Sequence, residues 1–411
     1  MRASYLMYGG AGIPAFGIRS RSHAHGGSAM TAPLPLDGIK VVEIAQALAG
    51  PFAGEILAHL GADVVKVERP EGDEARGWGP PFPLGGGPTF HAVNMNKRSI
   101  VLDLKDPEAI AWLKGYIAEA DVVVQNLRPG VIEELGLGAE ALLALNPRLV
   151  FCSLWAFGHN GPRRLRPGYE PMVQAFAGLF SVNGGDEDPP SRFGAPVLDL
   201  GTGMWAAMGV LAALHQRVRT GRGAVVDTSL FETALGWLSG HVAGYRFTGD
   251  LPSRERTGSR RLVPFQGFQT KNGTVIIAAG NDRLFAKLGA ALGHPEWATD
   301  PRFVTNAERR AHREELIVEM ERVLTTRTKG EWIDILEEAG VPCAPIQDLR
   351  EMLAEPQTQA LGILQAVPDL DLDLMTLPVS FDGRRPPVRR RAPTLGEHTK
   401  EIVAPPPPAG S

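Results

Sequence analysis

The sequence is poor in cysteine, the residue that cross-links small secreted domains and often binds metals. Only two of its 411 residues are cysteine, Cys152 and Cys343. They lie too far apart for a CxxC metal motif, and two thiols do not make a disulfide framework. The ten histidines include no HExxH pair, so no metal site is predicted. This cysteine usage fits a reducing compartment, and we expect a cytoplasmic protein.

A surplus of one charge sign is also absent. The chain carries 42 basic and 46 acidic residues, for a formal net charge of −4. Without a basic stripe, the sequence offers no electrostatic footprint for nucleic acid or an anionic membrane surface. No apolar run approaches the roughly 18 residues that span a bilayer. We therefore expect small molecules and other subunits as partners, and neither nucleic acid nor a membrane.

The two ends of the chain differ in composition from the rest. Residues 1–30 contain arginine and serine but no acidic residue, which is typical of a mitochondrial presequence. Two interpretations stay open: a disordered leader or upstream extension before a start at Met30, or a transit peptide to the mitochondrial matrix. The proline run after Ala404 predicts a disordered tail over 404–411.

Short apolar runs alternate with helical patterns through the first half of the chain. We expect a helix with Pro51 at its first position, a helix from Pro107 to Glu119 capped by Asp106, and a helix from Met204 to Arg217. Such alternation predicts an α/β fold with a Rossmann-like open parallel sheet, whose ligands bind beyond the carboxyl ends of the strands. The predicted buried strands are residues 41–44, 63–68, 99–104, 121–125, 149–154 and 224–229.

A polar stretch at 249–259 predicts a linker to a smaller α+β domain. There, residues 265–270 and 273–279 flank Lys271 and Asn272 and predict a hairpin. The predicted helices of this domain are residues 282–292, 306–325 and 329–339.

Few sequence motifs point to chemistry. The first strand-to-helix turn lacks GxGxxG, there is no GxSxG elbow, and Cys152 lies in an apolar strand where a core role is expected. Asp199 follows the apolar residues 195–198 and precedes Gly201, Gly203 and a predicted helix, where backbone N–H groups favour an anion. These facts alone favour an N-cap role over a catalytic one.

A series of motifs in a fixed order, from about Leu36 to Val403, resembles the family III CoA-transferases. This group contains formyl-CoA transferase, carnitine CoA-transferases and α-methylacyl-CoA racemases. The motifs are GADVVKVERP at 61–70, NKRSIVLDLK at 96–105, DVVVQN at 121–126, PGYE at 167–170 with QA at 174–175, GAPVLD at 194–199, TGRG at 220–223, DPRF at 300–303 with TN at 305–306, GVP at 340–342 and LGEHT at 395–399.

The resemblance implies that Asp199 is the nucleophile of a covalent transferase mechanism. A carboxylate near its ordinary pKa of about 4 is already ionised at neutral pH and needs no general base. The implied intermediates are an aspartyl anhydride and an aspartyl-CoA thioester. No permanently bound cofactor is expected, since the CoA thioester is a co-substrate.

The resemblance also implies CoA and substrate contacts, with departures that matter. Leu48 replaces a glutamine and Glu134 replaces a phosphate-side arginine of the family. The implied CoA contacts are Ala47, Leu48, Ala49, Arg69, Leu102, Lys105, Asn126 and Leu127, and the implied substrate contacts include Tyr169 and Glu170.

The glycine-rich loop of formyl-CoA transferase is missing from residues 258–266, so formyl-CoA and oxalate are not expected substrates. Arg260 and Arg261 stand there instead. A guanidinium pairs bidentately with a carboxylate, so one of these arginines is expected to bind the distal carboxylate of a dicarboxylic acid. The alternative is that both are linker charges in solvent.

Two other functions are weighed against an acyl-CoA:carboxylate CoA-transferase. The racemase branch has a histidine where this chain has Tyr169 and a glutamate near Asn281, and neither Tyr nor Asn suits α-proton exchange near neutral pH. A non-catalytic CoA-binding protein would not be expected to keep Asp199. Succinyl-CoA is a possible donor, and the acids are not identified.

The resemblance further implies an interlocked homodimer of subunits with a large and a small domain. The expected division is a large CoA-binding domain at 31–230, a linker at 231–258, a small domain at 259–345, and a return linker with the end of the large domain at 346–403.

Overall fold

Six parallel strands form the main sheet of the computed structural model, which describes residues 33–403. The predicted leader at 1–30 and the predicted tail at 404–411 lie outside the described residues. The strand order is β3-β2-β1-β4-β5-β6, which is a doubly wound order with a switch point between β1 and β4. The strands are β1 Lys40–Ile44, β2 Asp63–Glu68, β3 Arg98–Val101, β4 Val122–Gln125, β5 Val150–Trp155 and β6 Ala224–Ser229.

Helices connect these strands and cover the sheet. They are α1 Ala49–His59, α2 Pro88–Ala92, α3 Pro107–Ala118, α4 Val131–Glu134, α5 Ala139–Leu145, α6 Glu170–Phe176, α7 Val197–Thr220, α8 Leu230–Trp237 and α9 Ser239–Thr248. Asp106 caps α3 through its side chain, as predicted.

Both faces of the sheet are buried, as crossover helices require. In register, Val42 of β1 lies opposite Val65 of β2 and Val123 of β4, and all three pack into the core on one face. Cys152 belongs to the core on the other face, where burial raises the pKa of its thiol. The Rossmann-like α/β prediction is confirmed, although β3 ends at Val101 and not at residue 104.

A second, smaller sheet has the order β7-β8-β9 and its own apolar core. The predicted hairpin is confirmed, but the predicted helix at 306–325 is two helices, because His312 has a non-helical backbone with φ −105° and ψ 30°. The elements are β7 Phe265–Thr270, β8 Gly273–Ala278, α10 Asp282–Ala291, α11 Asn306–Ala311, α12 Arg313–Leu324, α13 Lys329–Glu338, β9 Cys343–Pro345, α14 Leu349–Ala354, α15 Pro356–Ala360, β10 Leu364–Ala366, β11 Asp373–Met375 and α16 Thr399–Ile402. The boundaries between the large and small domains stay a prediction.

Helix α7 begins seven residues before the predicted helix, at Val197. Gly201 and Gly203 precede the predicted helix but lie inside α7, and neighbouring residues approach both closely. A Cβ at Gly203 would lie 2.7 Å from the carbonyl oxygen of Ala49 in α1, and one at Gly201 would lie 2.8 Å from Thr233 of α8. Helix α1 likewise begins at Ala49, so Pro51 is its third residue and not its first.

The prediction that no apolar stretch is long enough to span a bilayer is wrong for α7. Its 24 residues have a mean hydropathy of 1.6 in the most apolar window, which suits a membrane span by length and composition. Half of that window is buried inside the protein, and α7 packs along α1, β5 and β6. A core helix has the same properties, so this observation alone does not indicate a membrane.

Helices α7, α8 and α9 share an unusually apolar exposed surface, which we call the α7–α9 apolar face. Trp205 of α7 and Trp237 of α8 lie side by side, with ring centroids 6.1 Å apart. Clustered exposed side chains of this kind mark an interaction surface. The members of this face are Met204, Trp205, Met208, Leu235, Trp237, Val242, Tyr245 and Phe247, each at least 41% exposed.

Candidate functional site

The topology gathers the predicted CoA contacts at the carboxyl edge of the sheet. Ala47 to Ala49 follow β1, Arg69 follows β2, Leu102 and Lys105 follow β3, and Asn126 and Leu127 follow β4. The loops after β1 and β4 are joined directly at the switch point. The Gln46 amide donates to Asn126 Oδ1 at 2.9 Å, and Asn126 Nδ2 donates to the Gln46 carbonyl at 2.8 Å.

The predicted contact residues differ in what they offer a ligand. The Leu48 and Leu102 side chains are buried, so contacts there would use the backbone. Arg69 is more than half exposed and donates from Nε to the Gly72 carbonyl at 3.0 Å. Lys105 is exposed. Only the two cations present charged groups suited to phosphate.

Asp199 lies in the first turn of α7 as its third residue. The N-cap residue is Pro196, and no side chain caps this helix, so the N-cap interpretation of Asp199 is wrong. One helical turn further on, Gly203 rests on Ala49 at the start of α1. The α1–α7 contact therefore brings Asp199 next to the loop after β1.

A second carboxylate faces Asp199 from α6. Glu170 is buried, and its Oε1 accepts from Gln174 Nε2 at 2.6 Å and from the Leu198 amide at 3.3 Å. Burial, reinforced by the negative charge of Glu170, raises the pKa of Asp199 to about 7. The expectation that Asp199 has an ordinary carboxyl pKa near 4 is therefore wrong. The sequence does not show that Asp199 is buried or that Glu170 lies beside it, and these two features raise its pKa.

Gln174 ties this pair to the segment that leads into α7. It is fully buried, and its Oε1 accepts from the Phe193 amide at 2.9 Å. Sequence reasoning includes Gln174 among the residues that match the family but assigns it no positioning role.

Arg260 and Arg261 make different contacts. Arg260 Nη2 pairs with Asp186 Oδ2 at 2.7 Å, on the segment before α7. Arg254 Nη2 donates to the backbone carbonyls of Asp186 and Asp188, and Arg256 forms an ion pair with Asp188. We call this set of contacts the 186–260 clip. Arg261 is exposed and has no ion-pair partner among residues 33–403.

The two positions that separate a racemase from a transferase lie at the N-termini of α6 and α10. Tyr169 is 61% exposed and precedes α6. Asn281 caps α10, since its Oδ1 accepts from the Leu284 amide at 2.9 Å. In the described part of the chain, no three His, Cys, Asp or Glu side chains are grouped to hold a metal ion.

Behind the loop after β1 lies a group of buried charges that sequence reasoning did not find. Burial opposes the charge of Lys66, but Glu43, Asp73 and Glu68 outweigh it and raise its pKa. Burial also raises the pKa of Glu55, on the neighbouring face of α1. We call the ion-paired set the buried charge cluster; its members are Glu43, Lys66, Glu68, Asp73, Arg76 and Lys97, each at most 8% exposed.

Comparisons with known proteins identify the family of this chain. The sequence pattern of CoA-transferase family III matches residues 36–399. The succinate–glutarate CoA-transferase of Agrobacterium fabrum is 36% identical over 384 residues, which cover 90% of this chain and 95% of that protein. The acetyl-CoA:oxalate CoA-transferase of Acetobacter aceti is 37% identical over 378 residues, covering 90% of this chain and 96% of that protein.

A solved structure shows the same fold. The crystal structure of a CaiB/BaiF family protein from Brucella suis superposes with a TM-score of 0.84 at 37% identity, over 91% of this chain and 99% of that one. Sequence pattern, full-length relatives and fold agree. The chain therefore belongs to CoA-transferase family III and is an enzyme of that family, for which a CoA thioester is the co-substrate.

Proposed function

We propose that this enzyme moves CoA from an acyl-CoA, such as succinyl-CoA, to a small dicarboxylic acid through covalent intermediates on Asp199. The observation that carries the proposal is the position of Asp199 in the first turn of α7, half-buried beside Glu170 and one turn from the α1–α7 contact. A nucleophile is needed next to the thioester, and this edge of the sheet is where a doubly wound fold binds ligands.

The chemistry balances without any group beyond the two substrates. An Asp199 oxygen attacks the thioester carbonyl, the C–S bond breaks, and an aspartyl anhydride and CoA thiolate form. The thiolate attacks the aspartyl carbonyl carbon, which releases the donor acid and leaves an aspartyl-CoA thioester. The acceptor carboxylate then attacks that thioester, and the same two steps run in reverse. Exclusion of water protects the anhydride.

CoA recognition is proposed at the loops after β1 to β4. Arg69 and Lys105 are the cations there that suit its pyrophosphate and 3′-phosphate. The buried side chains of Leu48 and Leu102 anchor the backbone of the loops after β1 and β3 to the protein interior.

The acceptor is proposed to carry a second carboxylate. Relatives are named for glutarate and for oxalate, and both are dicarboxylic acids. Arg261, exposed and without an ion-pair partner among residues 33–403, is the better of the two arginines for the distal carboxylate, because Arg260 is held by Asp186. The missing glycine-rich loop still argues against oxalate for this chain.

The active unit is proposed to be an interlocked homodimer. The α7–α9 apolar face supports this, because Trp205 and Trp237 are each more than 40% exposed on it. A second copy of the chain would cover this face. We also propose a cytoplasmic location, or the mitochondrial matrix if residues 1–30 are a transit peptide; the two cysteines, both free thiols, fit either.

Replacement of the nucleophile should abolish transfer. We expect Asp199→Asn to lower turnover at least about 1000-fold, because no other group forms the anhydride, while CoA still binds. The control Asp334→Asn removes an exposed carboxylate of α13 and should leave turnover unchanged. Mass spectrometry after hydroxylamine trapping should mark Asp199 in the wild type only. Turnover above a tenth of wild type in Asp199→Asn would rule out this nucleophile.

The rate should depend on the ionisation of Asp199. Only its ionised form attacks, so kcat/KM should fall as pH drops below the pKa of about 7. Glu170→Gln removes a like charge, which lowers that pKa and moves the acid limb to lower pH. Burial is the larger cause, so the limb stays above the ordinary carboxyl range. Glu140→Gln, on α5, is the control. An unmoved or upward-shifted limb in Glu170→Gln would contradict the coupling.

The arginines should separate dicarboxylates from monocarboxylates. A charge-assisted contact is worth about 1.5–3 kcal/mol, so Arg261→Met should raise the KM for dicarboxylates about 10- to 100-fold and leave monocarboxylates unaffected. Arg260→Met tests the other arginine in the same way, and Arg283→Met of α10 is the control. If all three variants treat both classes of acid as the wild type does, neither arginine selects the substrate.

The oligomeric state can be measured directly. Light scattering on a dilute sample should report about twice the 44.1 kDa chain mass, because obligate interfaces bury thousands of Å² and persist on dilution. A folded species with the mass of one chain would refute the obligate dimer.

A further inference from the structure

The buried charge cluster touches the loop after β1 through Asp73. Asp73 Oδ1 accepts from the Ala47 amide at 2.9 Å and from the Ala75 amide at 2.9 Å. Its other oxygen, Oδ2, lies 2.8 Å from Lys66 Nζ. One buried carboxylate thus links the loop to a buried cation.

Lys66 holds the same loop from the other side of Gln46. Its Nζ donates to the Ala45 carbonyl at 2.8 Å and to Glu43 Oε1 at 2.9 Å. With the ion pair to Asp73 Oδ2, three oxygen atoms surround the ammonium group of Lys66. The carbonyl before Gln46 and the amide after it are therefore both bound by an ion-paired couple that is itself fully buried.

The loop needs such support because of its conformation. Ala47 has φ +65°, in the left-handed region that residues with a Cβ disfavour. Its amide cannot continue a regular ladder there and finds its acceptor in Asp73. The neighbouring Gln46 is fixed by Asn126, so the whole turn is bound from two directions.

We propose that Asp73 and Lys66 are positioning residues for CoA: together they hold residues 45–48 in the turn that presents the loop after β1 to the nucleotide co-substrate. This inference rests on the proposed function, since it requires CoA to bind that loop. Neither side chain touches the ligand, because both are buried beneath the loop. Asp73 and Lys66 act by holding the loop in its CoA-binding conformation even when CoA is absent.

The test compares two buried carboxylates that differ in this contact. Asp73→Asn weakens the couple with Lys66, whereas Glu55→Gln makes the same chemical change at an equally buried site on α1. If the loop after β1 adopts its CoA-binding conformation only about a tenth of the time in a variant, the apparent Kd for CoA rises about tenfold. Calorimetry with free CoA should therefore show that rise in Asp73→Asn and in Lys66→Met, but an unchanged Kd in Glu55→Gln.

Kinetics separate positioning from general damage. In Asp73→Asn we expect the KM for acyl-CoA to rise with the Kd while kcat at saturation stays close to wild type, since Asp199 is untouched. A fall in kcat with unchanged KM and Kd would overturn the proposal. So would an equal rise in Kd in the Glu55→Gln control.

A measurement on the wild type keeps the inference testable if the variants do not fold. Hydrogen exchange should find the Ala47 amide protected in the free enzyme. Exchange that is fast in the free enzyme and slowed only by CoA would overturn preorganisation. If the wild type fails to bind CoA at all, the proposed function fails; if it binds CoA and the variants bind equally well, only this inference fails.

Discussion

The edge of the sheet at which CoA is proposed to bind depends on charges buried where α1 crosses β1 and β2. Glu43 bridges Lys66 and Lys97 at 2.9 and 2.8 Å, with all three side chains fully buried. Removing one partner of such a pair leaves an uncompensated charge at a cost of about 3–5 kcal/mol. Lys97 also donates to the Pro51 carbonyl in α1. The strands, the loop after β1 and the first turns of α1 are therefore fixed as a set.

Close helix packing extends this order to Asp199, the proposed nucleophile. A Cβ at Gly54 would lie 1.9 Å from Glu43 Oε2, and one at Gly203 would meet the Ala49 carbonyl. Glycine at these points lets α1 lie directly on the buried charges and α7 lie directly on α1. Asp199, one turn before Gly203, takes its position from these contacts, and its raised pKa from burial beside Glu170.

The strands and their place in one parallel sheet could be predicted from the sequence, because they depend on local patterns. The nucleophilic role of Asp199 depends on the ordered motifs of the resemblance and stays a prediction. The residues 63–68 were recognised as a buried strand, but Lys66 within it could not be assigned partners, since Glu43 and Asp73 meet it only in the folded chain. The start of α7 was missed for the same reason. Gly201 and Gly203 resemble turn residues until the helices that approach them are known.

The 186–260 clip joins two segments with different proposed tasks. Residues 254–261 are proposed to contact the acid, and the segment before α7 leads to Asp199. Arg260 pairs with Asp186, and Gly185 forms a bridge with Glu255, so the segment replacing the glycine-rich loop is attached to the segment that leads into α7. Under the proposed function, residues 254–261 contact the acid, so a substitution there that suits a new acid would also move the segment that leads to Asp199. Divergence of substrate range in such a chain would therefore require paired changes at both segments, and single replacements would trade one property against the other.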